Sequence, residues 1–298
     1  EGYHTHVRQC YPQLRDTYAA LVAADVPVET VWISDAYERY PFLIVSATHS
    51  SPVIPLMVGD SYRESVGYLK NSEFLRLKRY VENGGNLLFL DRTQVASPVF
   101  EELFGATFGS VTGLWEDRQM TFAEDLGGFR AGEDMELGEG IGSYRRLAPG
   151  EARALATVDG GWPLVIQNRL GKGQVIYLAA DIFSDFYKMS PSAWDSSPLP
   201  SLMGALMERL GAERPVVCGD VNVECGILEH VREDVRLAVI FNRNDTDSTS
   251  PVVVKHMAAY RAETEDGEPV PCTVDGEDMV LAGPFAARRA TLVILRRR

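Results

Sequence analysis

The spacing of hydrophobic residues in the first part of the chain alternates between that of helices and that of buried strands. Residues 6–24 have helical spacing and lead directly into a strand-like segment at residues 26–32. Continuous apolar runs follow at Tyr40–Ser46 and Asn86–Asp91, and such runs are typical of strands buried on both faces of a parallel sheet. The alternation predicts an α/β fold with a doubly wound sheet.

Further helices and a hairpin are predicted from spacing and from glycine. Residues 72–83 place apolar side chains on one helical face, and Gly84 and Gly85 then supply the end of that helix. Two strand-like runs at residues 162–169 and 174–179 flank a glycine-bearing turn, which indicates a β-hairpin. Two more helices are predicted, at residues 97–105 and 200–210.

The pattern changes after Glu213–Pro215. Helical spacing disappears, and short β runs follow one another, separated by turn signals such as Asn244–Asp245 and Asp275–Gly276. Several short strands at this spacing favour a small antiparallel β-sandwich. We therefore predict two domains, an α/β domain at residues 1–213 and a C-terminal antiparallel β domain at residues 214–298.

The chain begins on a helix, although α/β sheets are built from units in which a strand comes before the first helix. Residues 1–5 contain no apolar run that could form this strand. We therefore expect the chain to be a piece of a longer protein. The place beside Phe42–Ser46 is expected to be filled by an upstream segment that this sequence does not contain.

The amino-acid composition restricts the kinds of molecule that the protein is expected to bind. The 298 residues carry a net charge of −13, which argues against nucleic acid or an anionic membrane surface, because both require clustered Lys and Arg. No apolar stretch reaches the ~18 residues of a membrane helix. These features predict a globular protein without nucleic-acid or membrane partners.

The cysteines give little indication of chemistry. Cys10, Cys218, Cys225 and Cys272 form no CxxC pair, so neither a zinc site nor any other metal or cofactor is predicted. None lies on the sharp strand-to-helix turn that a nucleophile requires. We interpret them as free thiols of a reducing compartment, which favours a cytoplasmic location without fixing it.

Four segments, taken in order, resemble a known family. They are Asp25–Glu29, Tyr80–Leu87, Leu170–Leu178 and Arg236–Asn242. The first three are similar to the trimerisation domain of glycoside hydrolase family 42 β-galactosidases. The last resembles the small β domain that follows it in those enzymes. The junction Asn83–Gly85 also occurs in other amidotransferase-like domains, including a trehalose-utilisation type.

The resemblance implies a fold, an assembly and a place for the catalytic groups. The fold would be flavodoxin-like, of the class I glutamine-amidotransferase type, and the assembly a homo-oligomer, specifically a trimer. The catalytic carboxylates would lie in a (β/α)8 barrel upstream, acting on carbohydrate. This chain matches no part of that barrel, so no catalytic residue is assigned and the chain alone is expected to be inactive.

Polar residues collect at the predicted carboxyl ends of strands, where open α/β sheets bind ligands. They are His49, Asp91, Arg92 and Asp181. The alternative is that the aspartates cap helices or accept hydrogen bonds from loop amides, and we favour that interpretation. A glycosidase pair of Asp181 with Asp185 is disfavoured, because acidic pairs are common in so acidic a chain.

Aromatic residues offer a second set of candidates. Trp115 and Trp194 lie in loop-like segments and are candidates for a sugar or subunit contact. Trp162, next to Pro163 in a predicted strand, is expected to lie in the core. Lys172 between two glycines is explained by a hairpin turn, since the full phosphate-loop pattern is absent.

Two functions remain open. The first is a non-catalytic oligomerisation and accessory region of a β-galactosidase-like glycoside hydrolase. The second is a free-standing amidotransferase-like or trehalose-utilisation-like enzyme, or a small-ligand-binding domain, that uses the edge formed by His49, Asp91 and Asp181. The lack of a nucleophile and of a barrel favours the first.

Overall fold

The structure is a computed structural model. It describes residues 15–28, 35–46, 71–91, 98–112, 119–137, 144–158, 160–180, 182–183 and 197–298. Helical segments in these ranges are α1 (residues 15–23), α2 (Asn71–Glu82), α3 (Pro98–Phe104) and α4 (Leu199–Arg209), with a short 3-10 helix at Tyr37–Arg39. None of these helices is long and apolar enough to cross a membrane.

The described residues form two compact units. The second unit contains residues 213–298 together with residues 19–28 and 197–204, and the first contains the remainder. The domain boundary between residues 213 and 214 stays a prediction.

The first unit is built on a mixed sheet. Its strands are β1 (Phe42–Val45), β2 (Asn86–Leu90), β3 (Ala106–Thr112), β4 (Gln119–Phe122), β5 (Asp134–Glu136), β6 (Tyr144–Pro149), β7 (Arg153–Val158), β8 (Trp162–Leu170) and β9 (Gly173–Leu178). Seven strands pair in the order β1-β2-β9-β8-β7-β4-β5, and β3 pairs with β6 separately.

The sheet differs from the parallel sheet that the sequence predicts. Among the described strands of this sheet, only β1, β2 and β9 pair in parallel, while the pairs from β9 onward to β5 are antiparallel. The reason is the predicted hairpin itself: Gly171 and Lys172 alone connect β8 to β9, and so short a connection can only join antiparallel strands.

The core of this unit follows the predicted periodicity. Strand β2 is buried from Leu87 to Leu90, as expected for a central parallel strand. Helix α2 buries Phe74, Leu77 and Val81, the face that its spacing indicates. The hydrophobic pattern is therefore confirmed for these two elements.

The start of the chain departs from prediction. Residues 26–28 are not a strand, because the backbone is still closing helix α1: Val26 N–H donates to Leu21 O at 2.9 Å. The rest of the predicted strand and the first part of the predicted helix lie outside the described residues. Strand β1 is the last strand at its end of the sheet among those described.

The second unit consists of two antiparallel sheets. Its strands are β10 (Val216–Cys218), β11 (Val223–Glu229), β12 (Val235–Asn242), β13 (Val252–Val254), β14 (Tyr260–Glu263), β15 (Cys272–Asp275), β16 (Asp278–Leu281) and β17 (Ala290–Arg297). The sheets have the orders β10-β13-β16-β15 and β11-β12-β17-β14. Buried residues of both sheets, such as Val254 and Ile240, form one hydrophobic cluster. Antiparallel strands after residue 215 are thus confirmed.

Asp25 ends helix α1 within this second unit. It has a left-handed backbone, φ 54°, a position where glycine or asparagine is usual. Its buried carboxylate accepts the N–H of Cys218 at 2.7 Å, and Arg214 donates to Ala24 O at 3.0 Å. Burial raises the pKa of Asp25 to about 7, despite the opposing effects of the Cys218 N–H and the Arg214 charge.

We expect Gly173→Ala to destabilise the protein by about 1–3 kcal/mol or more, because a Cβ at Gly173 would overlap the backbone oxygens of Gly85 and Val81, which cannot easily move. Gly128→Ala is the matched control, since no atom lies within 4 Å of its added Cβ. Urea unfolding of both variants measures the difference. Equal stability of the two would contradict the close packing of the hairpin turn on the end of α2.

We expect Asp25→Asn to change the pH dependence of stability. Because the folded pKa is raised, the proton on Asp25 stabilises the fold below about pH 4, and this contribution is lost as pH rises to about 7. The loss is on the order of 4 kcal/mol. Asparagine suits the left-handed position, can still accept from Cys218 and does not titrate. The free energy of unfolding of the variant, relative to that of the wild type, should therefore increase between pH 4 and 8. A difference between the two proteins that does not change with pH would contradict the raised pKa of Asp25.

Candidate functional site

Asp91, at the carboxyl end of β2, is the center of a buried polar cluster. Its Oδ2 accepts a hydrogen bond from Arg145 Nε at 3.1 Å and another from the hydroxyl of Tyr177. The side chains of Asp91 and Arg145 are only 2% and 5% exposed. Asp91 and Arg145 therefore form a buried ion pair, which Tyr177 completes.

Backbone hydrogen bonds bring these three residues together. Asp91 N–H donates to Leu178 O at 2.9 Å, and Arg145 N–H donates to Ala179 O at 2.8 Å. The end of β9 is thereby bonded to the end of β2 and to the start of β6. Residues two apart in a strand share a face, so Asp91 lies on the same side as Phe89, which stands opposite Tyr177 in the register.

Aromatic rings surround the cluster and exclude water from it. The ring centroids of Tyr177 and Phe104 are 4.6 Å apart, and those of Tyr177 and Phe108 are 5.2 Å apart. The guanidinium of Arg145 lies 5.7 Å from the centroid of Phe108. A dry environment of this kind strengthens the attraction between the two charges and makes either charge costly without the other.

The electrostatics keep Tyr177 as a hydrogen-bond donor. Burial, followed by the negative charge of Asp91, raises the pKa of Tyr177 well above its usual value. The phenol therefore stays protonated. The arrangement is suited to joining β2, β6 and β9. The two described partners of the Asp91 carboxylate are side chains of β6 and β9, whereas the sequence favoured helix or loop amides as its partners.

Most of the predicted site residues fall outside the described part of the chain. His49, Arg92 and Asp181, the proposed neighbours of Asp91 at the strand edge, lie there, and so do Trp115 and Trp194. The ligand-binding role of the strand edge thus stays a prediction, and only Asp91 has a described environment.

Arg145 and Tyr177 were not among the residues predicted from the sequence. Tyr177 lies in the apolar run of β9, where an aromatic residue is ordinary, and Arg145 lies next to Tyr144 in β6. One signal was available: an aspartate directly after a buried strand requires a partner of opposite charge or several donors. That signal indicates a partner without identifying it.

Two open clefts lie at the other end of the parallel strands. One, of about 530 Å³, is lined by residues that include Pro41 and Gly85, which precede β1 and β2. The other, of about 740 Å³, includes Gln174 at the start of β9 and Arg209. Both clefts are at the amino ends of these strands, whereas Asp91 is at a carboxyl end.

Polar side chains that line the second cleft form hydrogen bonds and ion pairs with one another. Arg209 donates to Gln167 Oε1 at 2.9 Å and to Glu124 Oε1 at 2.6 Å, and Arg153 pairs with the same Glu124 at 2.8 Å. Gln174 donates to Leu210 O at 3.0 Å and so caps helix α4. The polar residues of this cleft are therefore bonded to one another and to the end of helix α4.

Trp162 is not in the core, contrary to the expectation from its strand position. It is 38% exposed, and the guanidinium of Arg146 lies 4.9 Å from its ring. Trp162 occupies the first position of β8, at the end of a strand whose next six residues are all buried. Lys172, by contrast, lies in the hairpin turn as predicted.

No cluster of three or more His, Cys, Asp or Glu side chains suited to a metal ion occurs within the described ranges.

Residues 65–190 match the sequence model of the β-galactosidase trimerisation domain. This stretch is similar to that domain over its matched length. The match includes Asp91, Arg145 and Tyr177, so the buried cluster lies within the matched region. No curated protein sequence matches the chain.

Solved glycoside hydrolases share the fold of almost the whole chain. The β-galactosidase of Bacillus circulans sp. alkalophilus is 16% identical with a TM-score of 0.61, over 96% of this chain and 37% of that enzyme. Gan42B, a GH42 β-galactosidase from G. stearothermophilus, is 18% identical with a TM-score of 0.60. The match covers 96% of this chain and 36% of that enzyme. An α-L-fucosidase isoenzyme 2 from Paenibacillus thiaminolyticus is 12% identical with a TM-score of 0.64, and the match covers 95% of this chain and 44% of that enzyme.

These likenesses show a shared fold that extends beyond residues 65–190 into the C-terminal sheets. The chain spans 37% or less of the two β-galactosidases.

We expect Asp91→Asn to destabilise the first unit by about 3–5 kcal/mol, because the buried Arg145 charge would lose the opposite charge of Asp91. Tyr177→Phe, which removes one hydrogen bond to a charged group, should cost about 1.5–3 kcal/mol. Urea unfolding measures both values. The control is Asp134→Asn, because Asp134 is an exposed aspartate that accepts a hydrogen bond from the Thr121 hydroxyl. If Asp91→Asn lowered the free energy of unfolding no more than this control does, a buried ion pair would be ruled out.

Proposed function

We propose that this chain is a non-catalytic oligomerisation and accessory region of a β-galactosidase-like glycoside hydrolase. The match of residues 65–190 to the trimerisation domain carries the proposal. The catalytic barrel would lie upstream in the same protein or on another chain, and the substrate of that parent protein would be a carbohydrate. The expected assembly is a homo-trimer.

The coverage of the solved enzymes supports this division of labour. Almost the whole chain shares its fold with about a third of two β-galactosidases. A chain that corresponds to one part of a large enzyme is expected to serve the part that performs the chemistry. In this proposal the α/β domain at residues 1–213 is flavodoxin-like, of the class I glutamine-amidotransferase type, and residues 214–298 form the separate C-terminal β domain.

The described side chains agree with an accessory role. The Asp91 carboxylate, at the edge where a ligand was predicted, is held by Arg145 and Tyr177 in a nearly inaccessible position. A general acid or nucleophile in a glycosidase needs a second carboxylate across an open site. The environment of Asp91 therefore favours the accessory function over a free-standing enzyme or small-ligand-binding domain.

We expect the purified 298-residue chain to have three times the mass of one chain in sedimentation equilibrium, and to release no product from aryl glycosides. The trimer follows from the match to the trimerisation domain, and the inactivity from the catalytic barrel, which in this proposal lies upstream or on another chain.

A monomer at every concentration would contradict the oligomerisation role. Turnover that disappears in Asp91→Asn but persists in the control Asp134→Asn would contradict the non-catalytic role. The two readouts are independent, so each half of the proposal can fail separately.

A further inference from the structure

The cleft of about 530 Å³ at the amino ends of β1 and β2 carries an excess of positive charge. Arg76 donates to the Glu38 carboxylate at 2.7 Å, so the acidic residue of the lining is paired inside the cleft. Two further arginines of the lining, Arg39 and Arg79, are exposed. Three arginines against one glutamate leave two positive charges in excess, in a chain whose net charge is −13.

The side chains of this arginine cleft are those that dominate protein–protein interfaces. Arginine and tyrosine are enriched among such residues, and the cleft also contains Tyr40 and Tyr80. Arg39 donates to the Tyr40 hydroxyl at 2.8 Å, and its guanidinium lies 4.9 Å from the centroid of the same ring. These contacts orient the guanidinium, which lowers the entropy cost of binding a carboxylate through parallel hydrogen bonds.

A surface of the opposite charge lies at the other end of the same sheet. Strand β5 is the last described strand at that end, and Glu133, Asp134 and Glu136 lie on it or just before it, all exposed. Asp134 accepts from the Thr121 hydroxyl at 2.6 Å, and Glu133 accepts the Arg130 N–H at 2.9 Å. Within the described ranges, none of these three carboxylates is in an ion pair.

The arginine cleft and this acidic edge cannot meet within one copy of the chain. Strands β1 and β5 are six strand spacings apart, which is about 29 Å at a spacing of about 4.8 Å. A closed ring of three copies, however, requires two different surfaces on each copy, because each copy contacts its neighbours head to tail. Complementary surfaces at opposite ends of one sheet meet this requirement.

We propose that the arginine cleft of one copy binds the acidic edge of a second copy, and that three such contacts close the trimer. This inference rests on the proposed function, since it names the surfaces through which the expected trimer forms. Arg39 and Arg79 bind the carboxylates of Asp134 and Glu136. Charged side chains on an edge strand discourage the addition of another strand, so this contact is made by side chains.

The test measures assembly of the folded 298-residue chain by sedimentation equilibrium over a range of concentrations. In Arg79→Glu and, separately, in Glu136→Arg, each contact of the trimer would place like charges opposite one another. The concentration at which half of the trimer dissociates should rise by at least about tenfold in either variant. Arg169→Glu and Glu265→Arg are the matched controls and should assemble as the wild type, because they make the same changes of charge at other exposed positions.

The double variant Arg79→Glu/Glu136→Arg separates a lost contact from a folding defect. Arg79 lies in the last turn of α2, where a cation stabilises a helix, so Arg79→Glu alone can also weaken folding. In the double variant every contact again joins opposite charges, and assembly should return to within about threefold of the wild type. A folding defect would not be repaired by a second substitution at the other end of the sheet.

Zero-length cross-linking locates the contact directly. Arg79→Lys keeps the positive charge and supplies an amine, which a carbodiimide joins to a carboxylate in direct contact with it. The expected product links residues 79–92 to the tryptic peptide Ala131–Arg145, which contains the acidic edge. In a mixture of ¹⁵N-labelled and unlabelled chains, products with one labelled and one unlabelled peptide show that the link joins two copies.

The outcomes distinguish this inference from the proposed function. A wild type that is monomeric at every concentration would contradict the oligomerisation role, and this contact with it. A wild-type trimer that is insensitive to Arg79→Glu and Glu136→Arg would overturn only this contact. A double variant that assembles no better than the single variants, or cross-links that never join the two peptides of different copies, would overturn it as well.

Discussion

The buried ion pair between Asp91 and Arg145 is a central constraint on the described part of the first unit. It lies where β2, β6 and β9 meet, and backbone hydrogen bonds from both residues run to the end of β9. A buried pair of charges tolerates little displacement, because each partner alone would be costly in a dry environment. The position of β6 against the central strands is therefore defined by electrostatics as well as by apolar packing.

The second unit depends on a different buried carboxylate. Asp25 has a left-handed backbone conformation that glycine would adopt more easily. Its side chain accepts a hydrogen bond from the backbone of Cys218, where β10 ends. Its raised pKa shows that the carboxylate is held at a cost in desolvation. One residue at the end of a helix therefore also binds the end of a strand.

Function follows from what these carboxylates do. Each is occupied by internal partners, and the two clefts lie at the amino ends of the parallel strands, away from Asp91. In the described residues these buried charges therefore serve the architecture of the protein itself.

Local patterns in the sequence were enough to determine α2, β2, the β8–β9 hairpin and the antiparallel strands after residue 215, because hydrophobic periodicity and glycine turns act over a few neighbouring residues. The resemblance to the trimerisation domain was also visible there. Only the tertiary structure decided that Arg145 and Tyr177 are the partners of Asp91, that the sheet turns antiparallel after β9, and that Asp25 binds Cys218. These contacts join residues distant in sequence, and their geometry depends on how whole strands pack, which no local pattern records.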